Sequence, residues 1–306
     1  MKNNFLTFLS NISLLFIIIF AIEGIIWHQE NQTLRRLGDI KPHEKNIPFH
    51  PGIDDYWTTN PQFNYGRKPE GLQYSKKPIV IFGCSFAYGY NLKNEETFSY
   101  KLSHLTKTPV YNRACNGWSI QHMLHQTKQD SFYELFPEPQ YAIYLYMPDH
   151  INRLYYHSFI LFDTLIEKYN LRYEEKDGKL QEVKHNNFFL NQVRRLYLYN
   201  KINQYFIINS KKTKNHYDFA LKHFTEARED MQKHWQNTKY VVVFYTTYSS
   251  DNYLKDKLKE NNFIVIDADE ITGKNLRDEE FMRSDYHPKE EAWNIVVPKL
   301  IEELGL

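Results

Sequence analysis

Glycine is scarce in this chain, with 11 of 306 residues; ordinary usage of about 7% would give about 21. Cysteine is scarcer still: Cys84 and Cys115 are the only two. That excludes a disulfide framework and leaves no cysteine spacing suited to a metal knuckle. An excess of either charge is also missing. The 38 Lys and Arg nearly balance 37 Asp and Glu, for a net charge of +1. Following a phosphate backbone takes a strong positive field, so nucleic acid is not an expected partner. The sequence has no internal repeat, no low-complexity tract and no phosphate-binding glycine loop. It implies no cofactor and no metal. His122 and His125 read as structural neighbours on one helix.

What is present is the profile of a folded chain, 42% hydrophobic and 25% charged. Aromatic residues are plentiful, with 24 Tyr and 21 Phe. Flat rings stack on sugar faces, so a carbohydrate-facing groove is one reading and a tyrosine-rich core is the other.

Residues 5–27 are mostly apolar and densest over 14–22, with Lys2 before them and Arg35 and Arg36 after. A run of about 23 residues is long enough to span a bilayer. Ala21-Ile22-Glu23 is a poor small-x-small cleavage site, which favours an uncleaved signal anchor over residues 1–28. A cleaved secretory signal is the rival. Arg35 and Arg36 argue against export, whereas the short N-terminal form of the segment argues for it. The expectation is a single-pass, membrane-anchored protein whose domain is exported, periplasmic or extracellular. Residues 29–75 read as a polar linker that packs on the domain, which covers 76–306.

Within that domain, residues 77–82 read as a buried strand ending at Gly83. Further strands are expected at 109–112, 141–146, 239–245 and 263–267, with 239–245 the clearest. Helices are expected at 97–105, from a Ser119 cap to about 129, at 253–260, and at 288–304 with Pro288 in the first helical position. Strands alternating with helices imply a parallel sheet covered on both faces, in three α/β/α layers. An insertion at about 152–215 follows the third strand, with a hairpin around Lys176-Asp177-Gly178. Helices at 188–209 and 217–236 lie between the hairpin and the fourth strand.

Open parallel sheets bind ligands at the carboxyl ends of their strands. The loops there contain Gly83-Cys84-Ser85-Phe86-Ala87-Tyr88-Gly89, then Asn112 to Gly117, then Met147-Pro148-Asp149-His150. Ser85 is a candidate nucleophile, and a serine hydroxyl needs a base. His287 is the best candidate, because Asp285 two residues earlier can hold one imidazole nitrogen and leave the other for the serine. Pro288 would place His287 at the helix cap. The backbone N–H groups of Ser85 and Gly117 are candidate oxyanion donors, with His150 or Asn152 supplying a side-chain donor. Tyr88, Asn112, Asn116 and Arg153 are substrate-binding candidates.

In this order the motifs resemble those of the SGNH/GDSL hydrolase family over residues 78–304, with the Gly83-Cys84-Ser85-Phe86 form of a membrane-anchored bacterial subgroup. The resemblance implies a flavodoxin-like five-stranded parallel sheet and a Ser85, His287, Asp285 triad. The chain departs from the family pattern in three places. Cys84 replaces the usual Asp, Asp-x-His replaces Asp-x-x-His, and Pro148-Asp149-His150 stands where Gly-x-Asn-Asp is usual. The resemblance also puts the two cysteines on neighbouring strand ends, either as free thiols or as a disulfide. The implied activity is an esterase or O-acyl (acetyl) transferase acting through an acyl-enzyme on a small-molecule, glycan or lipid ester. A lipase-like esterase and a non-catalytic binding or assembly protein are the alternatives.

Overall fold

Short runs of β-branched and aromatic residues form the expected strands. They are β1 (Ile79–Phe82), β2 (Val110–Asn112), β3 (Tyr141–Tyr146), β6 (Lys239–Phe244) and β7 (Ile264–Asp267). The computed structural model describes residues 70–135, 137–155, 171–183, 212–246 and 248–306. The five strands make one sheet in the order β2-β1-β3-β6-β7, and every neighbouring pair is parallel. This is the flavodoxin-like order that the resemblance implied. It reverses direction between β1 and β3, which opens a crevice at their carboxyl ends.

Side chains alternate across the sheet and build a core on each face. On one face Ile79, Ile81, Ile143, Leu145, Val241 and Val243 are buried. They meet α2 (Phe98–Thr106), α8 (Ala268–Thr272) and α9 (Glu290–Leu304). On the other face Val80, Phe82, Tyr144, Tyr146, Val242 and Phe244 meet α3 (Ile120–Thr127), α6 (Lys214–His234) and α7 (Asn252–Glu260). Strands buried on both faces read as continuous apolar runs, which is why β1 and β3 were legible. Each fully buried large apolar side chain contributes roughly 1.5–3 kcal/mol. Trp293 of α9 fixes the first face, with ring centroids 5.3 Å from Phe98 and 5.0 Å from Tyr245.

The hairpin in the insertion is β4 (Tyr173–Lys176) and β5 (Lys179–Glu182). Its two-residue turn, Asp177 and Gly178, has φ of 51° and 76°, the mirror-image geometry that matches strand twist. Lys128 Nζ donates to the Leu180 carbonyl at 2.9 Å, and Leu180 N–H donates to Glu226 at 2.7 Å, fastening the hairpin to α3 and α6. The expected anchor at residues 1–28, the linker up to residue 69 and the expected helix at 188–209 lie outside the described residues. Glu70, at the described end of the linker, exchanges two backbone hydrogen bonds with Val110. Among the described residues, no helix is long and apolar enough to cross a membrane.

Three local expectations are corrected. The segment after β1 is not a loop but a one-turn helix, α1 (Ser85–Tyr88). The segment after β3 is α5 (Asp149–Tyr155), and α4 (Asp130–Tyr133) lies before β3. The last helix begins at Glu290 with Lys289 as its cap, because Pro288 pairs with Met282 in an isolated bridge. His287 is therefore not the helix cap.

The turn into α1 runs against β3. Gly83 has φ of 149°, and a Cβ there would lie 2.9 Å from Ala87 Cβ and 3.0 Å from the Leu145 carbonyl oxygen. Gly83→Ala is therefore expected to cost about 2–3 kcal/mol from strain and contact together. In thermal melts the midpoint should fall by roughly 4–12 °C. An unchanged midpoint would contradict the close approach.

Candidate active site

Ser85 opens α1, so its N–H precedes the helical hydrogen bonds and is one of the uncommitted donors of a helix start. Gly89 closes the turn at φ 82°, with its N–H on the Ser85 carbonyl at 2.9 Å. Asn112 at the end of β2 locks this helix. Its Nδ2 donates to the Ala87 carbonyl at 2.7 Å and to Ser99 Oγ at 3.2 Å, while its Oδ1 accepts from Ala114 N–H at 3.1 Å. With all of these bonds internal, Asn112 is a positioning residue and not the substrate contact expected of it.

The candidate base, His287, comes from the loop before α9. Lys289 N–H donates to the Phe281 carbonyl at 2.8 Å, and Arg283 N–H donates to the His287 carbonyl at 2.9 Å, making a tight turn. Tyr286 lies at its tip with φ of 61° and is 79% exposed. This turn puts His287 Nε2 3.0 Å from Ser85 Oγ. Arg283 Nη1 donates to the Asn91 carbonyl at 2.9 Å, joining the turn to the segment after α1. The imidazole contacts one ring from that segment and one from α1, with centroids 4.6 Å from Tyr90 and 5.6 Å from Phe86.

Asp285 Oδ1 is 3.4 Å from His287 Nδ1 and also accepts the His287 N–H at 3.2 Å. The Nδ1 contact is an ion-pair distance without the alignment of a hydrogen bond. It still favours the tautomer with the proton on Nδ1, leaving Nε2 as acceptor for the serine proton. Burial pushes the His287 pKa below its ordinary value; Asp285 opposes this and the charge of Arg153 adds to it. The ring is therefore neutral at neutral pH, the form a general base requires.

The N–H groups of Ser85 and Gly117 have no partner among the described residues. Gly117 has φ of 76°, at the third position of a turn closed by Trp118 N–H on the Cys115 carbonyl at 3.2 Å. That conformation favours glycine. Asn116 is half-buried in the same turn.

Two expected contacts are redirected by the helices. His150 is fully buried on α5, its Nδ1 2.9 Å from Tyr144 Oη and its ring edge-on to Tyr144 and Tyr146. No hydrogen bond or ring contact joins it to Ser85 or His287. Tyr88, three residues into α1, is rotated into the core beside the sheet instead of facing a ligand. Asn152 donates to Asp149 at 3.3 Å. Arg153 is clamped, with Nε on Asp149 at 2.7 Å and Nη1 on the Trp118 carbonyl at 2.8 Å. Both cysteines are free. The buried Cys84 thiol donates to Met147 Sδ at 3.4 Å, and burial raises its pKa while Arg153 opposes that rise. Burial pushes the Cys115 thiol up to about 12.

Sequence reasoning missed Tyr90, Asn91, Arg283 and Met147. No motif marks them, since they act through contacts between loops that lie far apart in the chain.

No family model matches the chain, and no curated protein matches it. Solved structures similar to it include a member of the lipolytic G-D-S-L family from Veillonella parvula, at 14% identity over 74% of this chain and 97% of that one, with a TM-score of 0.42. An acetyl xylan esterase from the rumen bacterium Butyrivibrio proteoclasticus matches at 10% identity, over 76% of this chain and 63% of that one, with a TM-score of 0.45. A catalytic mutant of an acetylxylan esterase from Geobacillus stearothermophilus matches at 12% identity, over 76% and 96%, with a TM-score of 0.43.

The electrostatics predict that the His287 ring titrates below the ordinary histidine value of about 6.5. Asp285→Asn removes the influence that raises it and should lower the midpoint further. Ring-proton NMR through a pH series measures both. A native midpoint above about 6.5, or an upward move in the variant, would contradict this account.

Proposed function

We propose that this chain is a serine ester hydrolase of the SGNH type. The observation that carries the reading is the 3.0 Å contact between Ser85 Oγ and a neutral, ring-packed His287 Nε2. In this mechanism Ser85 attacks the ester carbonyl carbon as its proton passes to His287. The carbonyl π electrons become an oxyanion facing the N–H groups of Ser85 and Gly117. Collapse expels the alcohol, which takes the proton from His287, and leaves an acyl-Ser85. Water, or a sugar hydroxyl in an O-acyl transfer, then attacks with His287 again as base. Asp285 orients the imidazole and stabilises the imidazolium.

The substrate class proposed is a small ester, including acyl groups on an envelope glycan. The apolar segment at 5–27 would hold the domain at the outer face of a membrane, and its composition is the support for that placement. Arg35 and Arg36 pull the other way.

Fluorophosphonate labelling of the whole chain tests the nucleophile directly. The native protein should label, Ser85→Ala should not, and His287→Ala should turn over p-nitrophenyl acetate on the order of 10⁴-fold more slowly. A native chain that melts cooperatively yet neither labels nor hydrolyses would overturn the hydrolase reading.

A further inference from the structure

The proposed site has two backbone oxyanion donors, and His150, the side-chain donor expected in the third strand-end loop, is fully buried against Tyr144 and Tyr146. The same loop offers another group. Arg153 lies one turn into α5, at the carboxyl end of β3, and Ser85 lies at the carboxyl end of β1. β1 and β3 are hydrogen-bonded neighbours, and the sheet order reverses between them. The two residues therefore flank the crevice where an open α/β sheet binds its ligands.

We propose that the guanidinium of Arg153 is the third donor to the oxyanion, held at the crevice by Asp149 and the Trp118 carbonyl. This assignment rests on the ester-hydrolase reading.

The clamp is directional. Asp149 takes Nε at 2.7 Å, and the Trp118 carbonyl takes Nη1 at 2.8 Å. Trp118 directly follows Gly117, the backbone donor, so Arg153 is tied to the strand-end loop that supplies the second oxyanion contact. Nη2 has no partner among the described residues and keeps two N–H groups to donate. Only 14% of the side chain is exposed, and the paired Asp149 offsets the cost of holding a cation there. The charge acts on Cys84, next to the nucleophile, and on the base His287. Among the described residues, the charged or titratable groups around His287 are Asp285, Arg283 and Tyr286 on its own turn, Tyr90 beyond α1, and Arg153 from α5. A guanidinium stays protonated at any working pH, and its several donors let Nη2 reach an oxyanion while Nε and Nη1 stay with Asp149 and Trp118.

The test compares native chain, Arg153→Met and Arg153→Lys by fluorophosphonate labelling, steady-state turnover of p-nitrophenyl acetate and thermal melting. Arg153→Met should lower kcat about 100-fold or more, with KM within about threefold of native. Its acid limb in kcat/KM should move to higher pH, because the charge depressing His287 is gone. Arg153→Lys keeps the charge and loses the fork, so kcat should fall about tenfold or more with the acid limb unmoved. If Arg153→Met fails to melt cooperatively, the lysine variant alone decides. A kcat within about threefold of native in either folded variant, or a loss confined to KM, overturns the assignment. A native chain that neither labels nor turns over fails at Ser85 itself; that separates failure of the hydrolase reading from failure of Arg153, and the assignment falls with it.

Discussion

The contact between Ser85 and His287 joins residues 202 positions apart, and every other feature of the site is arranged around it. It exists because all five strands of the sheet run the same way. Parallel strands bring all their carboxyl ends to one edge, so the turn after β1 and the loop before α9 meet there with no special device. What each segment adds is precision. Gly83 lets the turn press against the Leu145 carbonyl, and Asn112 ties α1 to the end of β2. Phe86 and Tyr90 pack against the imidazole.

Electrostatics at this edge are set by unequal burial. His287 loses most of its hydration and remains neutral, which fits it to accept a proton. Cys84 and His150 are also kept neutral, chiefly by burial. Arg153 is the cation kept among them, and it keeps its charge because Asp149 lies 2.7 Å away. Under the proposed function, the site would combine an uncharged nucleophile and base with a fixed positive group paired to a carboxylate, an arrangement suited to developing negative charge without reorganising.

Much of the fold was legible because its strands announce themselves. Tyr141–Tyr146 is buried along its whole length and was read to the residue. Asp177-Gly178 marked the hairpin through turn chemistry alone. The departures at 85–88 and 149–155 share one cause, which is short helices where the pattern reads as loops. In a loop at 149–155, His150 was free to point anywhere. In α5 it turns inward, and Asp149 pairs with Arg153 four residues on, the spacing at which helical side chains meet. Tyr88 was displaced from the site by the same effect in α1. The start of α9 was misplaced because Pro288 satisfies two local preferences, helix start and bridge, and the pairing with Met282 decided between them. Tyr90 left no trace in the pattern, since its role is a ring contact with a residue near the other end of the chain.

The exposure of Asp285 has a consequence of its own. Its side chain is 40% exposed, whereas that of Arg153 is 14% exposed. Mobile ions screen a charge in contact with water more than one enclosed by protein. Added salt therefore weakens the carboxylate that strengthens the base before it weakens the guanidinium that opposes it. The share of His287 basicity owed to Asp285 is therefore expected to fall as ionic strength rises, while the share set by burial and the enclosed cation is expected to change less.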